Sequence, residues 1–106
     1  MAKGYIIARV TVNDDEAYMR YAKAAREEMA KRGAKILVLG GQKEALQGEA
    51  RDRNVVLEFE SYDAAKAYYE SEGYQAARQH RIAPGVSEGE FLLIEGYEGP
   101  QPGEAH

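Results

Sequence analysis

Two groups of side chains have the types and spacing to do chemistry. Arg78-Gln79-His80-Arg81 is the one basic cluster, and it holds the only histidine before the last residue, His106. Arg81 would present a permanently charged planar fork to a carboxylate, and His80 would move a proton near neutral pH. The same residues also suit the last turn of a helix, where cations complement the dipole, and that plainer use is the commoner one. The second group is Arg9, Glu58 and Glu95, expected on neighbouring strands and on one open sheet face. An arginine between two carboxylates could tune acid/base chemistry in a pocket. Within a dimer interface the same trio would be a structural ion pair, the commoner situation for a buried charge.

Other candidates are weaker. Tyr18, Tyr21, Tyr62, Tyr68, Tyr69 and Tyr74 could line a cleft, although helical spacing first marks a buried face. Gly40-Gly41 lacks the rest of a phosphate-loop pattern and reads as a turn or bulge. Two histidines without carboxylates at ligand spacing build no metal site. No cysteine is present, hence no thiol nucleophile and no disulfide frame. No cofactor motif is found.

These residues must be positioned by a small body. The 106 residues suit one domain, and the charge of -4 includes no basic block of the kind that tracks nucleic-acid phosphates. No apolar run approaches membrane-spanning length, and Met1-Ala2-Lys3-Gly4 leads directly into a strand, so a cytoplasmic location is expected. Tyrosine is over-used, 8 against 2 phenylalanines, and its ring and hydroxyl favour half-buried clefts and interfaces.

Tyr5 to Val12 reads as a strand, with Ile6, Ala8, Val10 and Val12 on one face. Asn13 or Asp14 caps a helix whose Tyr18, Tyr21, Ala22, Ala25 and Met29 share a side, and Gly33 ends it. Ile36–Leu39 is a second strand, Gln42–Arg53 a long polar connection, and Val55–Phe59 a third strand. Ser61 caps a helix over Tyr62–Glu70, Ser71-Glu72-Gly73 breaks it, and a short helix resumes from Tyr74 to Arg81. Phe91–Tyr97 is the last strand. Residues 1–98 are expected to form the domain, and 99–106 a flexible tail.

The order β-α-β-β-α-β predicts a ferredoxin-like split βαβ, an α+β fold with strand order 4-1-3-2 and the helices on one face. If Leu92 and Ile94 lie under the helices, the open face shows Tyr5, Ile7, Val56, Phe91, Leu93 and Tyr97. A patch that apolar predicts a homodimer joined sheet to sheet.

The sequence resembles the domain of unknown function 1330 family, a branch of the dimeric α/β-barrel superfamily. The resemblance rests on Gly4-Tyr5, Gly33, Leu39-Gly40-Gly41, Leu46-Gln47-Gly48-Glu49, and Arg53 with Val56 through Tyr62. It continues through Ala64-Ala65, Tyr68-Tyr69, Ser71, Tyr74 to Ala77, Arg81 and Glu95-Gly96-Tyr97. Ala34-Lys35 and Leu39 depart from the pattern, which tends to carry a glycine and an arginine at the first and an arginine at the second. The resemblance implies the fold and the dimer; superfamily relatives range over oxygenases, isomerases and dehalogenation enzymes, so it implies no particular activity.

Two functions stay open. One is a protein that binds or processes a small, possibly anionic organic molecule beside Arg81, Tyr69 and Tyr74, where Gly73 interrupts the helix. If such a protein turns its ligand over, cofactor-free proton transfer or oxygenation suits it best. The other is a non-catalytic structural or interaction homodimer.

Overall fold

A computed structural model describes residues 2–104; Met1, Ala105 and His106 lie outside the described residues, so the expected tail is seen only in part. The elements are β1 (Gly4–Val12), α1 (Asp15–Lys31), β2 (Lys35–Leu39), β3 (Arg53–Phe59), α2 (Tyr62–Glu70), α3 (Glu72–Ile82) and β4 (Ser87–Glu95). The four strands make one antiparallel sheet in the order β2-β3-β1-β4. This is the expected α+β, ferredoxin-like topology.

Local chemistry explains the boundaries. The Asp14 carboxylate accepts from the Ala17 N–H at 3.1 Å and starts α1, and Asp15 and Glu16 follow in its electropositive first turn. Ser61 caps α2 by accepting from the Ala64 N–H at 3.0 Å. The break between α2 and α3 falls at Ser71 alone. Its extended backbone ends α2, and its hydroxyl caps α3 at the Tyr74 N–H, 3.1 Å away. Gly73 lies inside α3, and its requirement is spatial: a Cβ there would run into the carboxylate of Glu28 on α1. That carboxylate also receives Arg32 Nε at 2.7 Å, and the bond to Arg32 holds its pKa below the usual carboxylate value.

The core lies between the helices and one sheet face. Ile6, Ala8, Val10, Leu57 and Phe59 point into it and meet Ala25, Ala65, Tyr68, Tyr74 and Ala77.

Strand β4 corrects two expectations. It begins at Ser87, earlier than the apolar run, because Glu88 and Glu90 pair with Thr11 and Arg9 of β1. Its facing is also reversed. Ile6 pairs with Leu93 and Ala8 with Phe91, so Phe91 and Leu93 face the helices, whereas Leu92 and Ile94 share the open face with Ile7 and Tyr5. In the run Phe91-Leu92-Leu93-Ile94 every position is apolar, so a period of two cannot tell the faces apart; only the register can.

The open face is still apolar, through Ile7, Val56, Leu92, Ile94 and Val38, with Leu92 52% and Ile94 44% exposed. Tyr97 lies past the end of β4 and donates to the Pro100 carbonyl at 2.8 Å. The connection from Gly40 to Asp52 has no regular structure. Arg51 ties it to β4 through both oxygens of Glu90, at 3.0 and 2.8 Å, and Asp52 accepts from the Val12 N–H.

Candidate functional site

The site begins with small residues. The side of α1 that faces the sheet carries Ala22 and Ala25, and β1 answers with Ala8. None of the three is long enough to close the gap. Helix α1 packs along α3, and between α1 and the β2–β3 side of the sheet a cavity of about 190 Å³ remains, lined in part by these alanines. Apolar cavities near 150 Å³ hold a benzene-sized guest, so roughly one aromatic ring fits.

Five tyrosines line it: Tyr18, Tyr21, Tyr68, Tyr69 and Tyr74. They come from α1, α2 and α3, and their rings pack edge to face or tilted, with Tyr69 and Tyr74 centroids 4.8 Å apart and Tyr21 and Tyr74 6.0 Å apart. Burial pushes the phenol pKa of Tyr18, Tyr21, Tyr68 and Tyr74 upward, so these four phenols are neutral at pH 7. The Tyr68 hydroxyl is buried and has no hydrogen-bond partner among the described residues, a state that costs free energy until something supplies one.

Arg81 organises the far end. It is only 9% exposed, and no carboxylate among the described residues pairs with it. Its Nη2 donates to the Tyr69 hydroxyl at 3.2 Å and to the Tyr74 hydroxyl at 3.1 Å, and its Nε reaches Tyr74 at 3.3 Å. The guanidinium also lies 3.8 Å from the centroid of the Phe91 ring. Burial pulls its pKa down, but the contacts with Tyr74, Tyr21 and Tyr69 outweigh this and the pKa ends raised. Among the described residues this buried cation is thus held by tyrosine hydroxyls and aromatic faces.

The expected trio Arg81, Tyr69 and Tyr74 therefore does come together, with one difference of placement. Tyr69 and Tyr74 line the cavity, and Arg81 lies behind them. The cavity runs from these tyrosines, which flank the helix break, along α1 to β2 and β3, beyond the notch that the sequence suggested. His80 is exposed and borders a shallow hollow with Glu27 and Lys31, apart from this cavity.

The expected pairing of Arg9 with Glu58 does not form. The register sets Arg9 opposite Asn54 and Glu58 opposite Tyr5. Arg9 reaches Glu90 at 3.6 Å, and Glu58 accepts from the Tyr5 hydroxyl at 3.0 Å. Glu95 pairs with Gly4 and so belongs to the helix side of the sheet, not the open face.

Sequence reasoning passed over Arg26 and Arg53 as site residues, although both line the cavity. Arg26 is on α1 and Arg53 on β3, next to the exposed Met19 and Leu39. The available signal was parity: Arg53 pairs with Val10 and shares the helix side of the sheet.

The family described as domain of unknown function (DUF1330) matches residues 3–97. No curated protein matches the chain in sequence. Among solved structures, a protein of unknown function from Rhodopseudomonas palustris is similar over 92% of this chain and 85% of its own, at 19% identity and a TM-score of 0.75. A dimeric ferredoxin-like protein of unknown function from Thermobifida fusca covers 89% and 91%, at 19% identity and a TM-score of 0.59. SnoaB, a cofactor-independent oxygenase from Streptomyces nogalater, covers 98% and 100%, at 16% identity and a TM-score of 0.58. At these identities the likeness is one of fold.

Proposed function

We propose a ligand-binding function for this chain, which belongs to the family of domains of unknown function DUF1330. Each protomer of a homodimer takes up one small, largely apolar organic molecule with an anionic or strongly accepting oxygen. The molecule occupies the cavity between α1 and the sheet, and its oxygen meets the hydroxyls that Arg81 holds. The observation that carries this reading is the Arg81 guanidinium, buried without a carboxylate and bonded to two tyrosines of the cavity wall. A buried charge of this kind lowers the cost of bringing an anion or a polarised oxygen nearby. The unpartnered Tyr68 hydroxyl adds a donor still to be satisfied. The general makeup of ligand pockets is the same: apolar walls with a few placed polar groups.

The dimer is supported by the apolar open face, Ile7, Val56, Leu92 and Ile94, and by the dimeric description of the Thermobifida fusca neighbour. If the ligand is turned over, the chemistry that suits neutral phenols beside a fixed cation is cofactor-free proton transfer or oxygenation; SnoaB, of like fold, is described as a cofactor-independent oxygenase.

A thermal-shift screen of small aromatic and aliphatic acids and phenols tests the reading. Hits are expected on the wild type and are expected to weaken in Tyr74→Phe, with Arg81→Lys intermediate because lysine lacks the planar fork. Absence of any hit, or hits unchanged in Tyr74→Phe, would count against it.

A further inference from the structure

Arg26 and Arg53 line the cavity at its exposed mouth, and among the described residues no carboxylate lines it with them. Among the described residues, neither Arg26 nor Arg53 is in an ion pair. Arg53 instead touches the Met19 sulfur at 3.6 Å and lies 5.1 Å from the Tyr18 ring centroid. Here both arginines line one cavity, Arg26 from the helix and Arg53 from the sheet. Between this mouth and the phenols held by Arg81, the walls are alanine, methionine, leucine, isoleucine and aromatic ring.

We infer, resting on the binding function proposed above, that the ligand carries two oxygen functions at opposite ends of an apolar body. Its acid group stays at the mouth on Arg26 and Arg53, and a hydroxyl or keto oxygen at the inner end meets the tyrosine hydroxyls. Chemically that is a hydroxy- or oxo-substituted organic acid of about one ring in length. The two ends ask for different things. The mouth is wet, and two flexible cations there accept any carboxylate without a fixed direction. The inner end is dry, and its phenol hydroxyls, held in place by Arg81, favour a compact acceptor over a fully hydrated carboxylate.

The experiment is a titration of the full-length protein with phenol, benzoate and 4-hydroxybenzoate, followed by amide chemical shifts, for the wild type and the Arg26→Gln/Arg53→Gln double variant. Glutamine keeps the apolar stem and a polar head, and thermal unfolding checks that the variant is folded. In the wild type, 4-hydroxybenzoate is expected to bind about tenfold tighter than phenol, the scale of two solvent-exposed charge contacts. In the double variant that advantage is expected to vanish while phenol binds as before. Phenol and 4-hydroxybenzoate binding equally to the wild type would overturn the inference and leave the binding function standing, as would an advantage that survives both substitutions. Failure of all three ligands to bind the wild type would remove the binding function and the inference together.

Discussion

Tyr74 offers its hydroxyl oxygen to two donors of Arg81, at 3.1 Å and 3.3 Å, and lies 2.9 Å from the Tyr21 hydroxyl. The guanidinium thereby fixes the middle of a hydrogen-bonded chain, Arg81–Tyr74–Tyr21, in which one of the two phenols donates to the other.

Removing the middle of that chain should be costly. Tyr74→Phe keeps the ring and takes away the main acceptor of a buried guanidinium, for an expected loss of about 1–3 kcal/mol. Urea unfolding measures it. A loss below about 0.5 kcal/mol, at the low end for one hydrogen bond, would show that Arg81 finds its acceptors elsewhere.

The buried phenols also predict how stability depends on pH. Tyr18, Tyr21, Tyr68 and Tyr74 have their pKa raised above the ordinary 10.0, each chiefly by burial. Their stabilising effect is therefore complete below pH 10 and is lost as pH climbs from there toward the folded-state values, because the unfolded chain gives up these protons first. The phenolate absorbance of these four is expected to appear only together with loss of far-ultraviolet dichroism. Gradual titration of all eight tyrosines in a chain that stays folded would contradict the burial described here.

The facing of β4 separates two neighbouring leucines. Leu92 lies on the open face beside Ile7, and Leu93 packs toward the core beside Ile6. Leu92→Asp is expected to give a folded monomer near 11.8 kDa by light scattering, and the wild type is expected to give twice that mass. Leu93→Asp is expected to lower the melting temperature sharply, since it places a charge in the core. The reverse pattern would mean that the sheet presents its other face.

Much of the fold was legible because local signals and topology agreed. Asp14 and Ser61 are strong caps, Gly33 closes α1 at a positive φ of 71°, and alternation along β1 and β3 assigned their faces correctly. Where β4 was misread, the cause was an unbroken apolar run that holds no parity information. The expected pairing of Arg9 with Glu58 failed for a related reason: adjacency of strands follows from topology, but register depends on the pairing of Tyr5 with Glu58, four residues away.

The site was half legible. Tyr69, Tyr74 and Arg81 were named from the sequence and do meet. What no periodicity could reveal is an empty volume, because Ala22 and Ala25 look like ordinary core positions of a helix. Whether small residues leave a gap depends on how far the helix stands from the sheet.

The most direct measurement therefore fills that gap. Ala22→Leu adds about the volume of a few methyl groups to the wall of an apolar cavity and removes no polar contact, so its melting temperature should hold or rise. Calorimetric titration of the wild type with the strongest hit of the acid and phenol screen should show one site per protomer, and the same titration of Ala22→Leu should show none. Undiminished binding by a folded Ala22→Leu would contradict the account, because the ligand would then lie somewhere other than between α1 and the sheet.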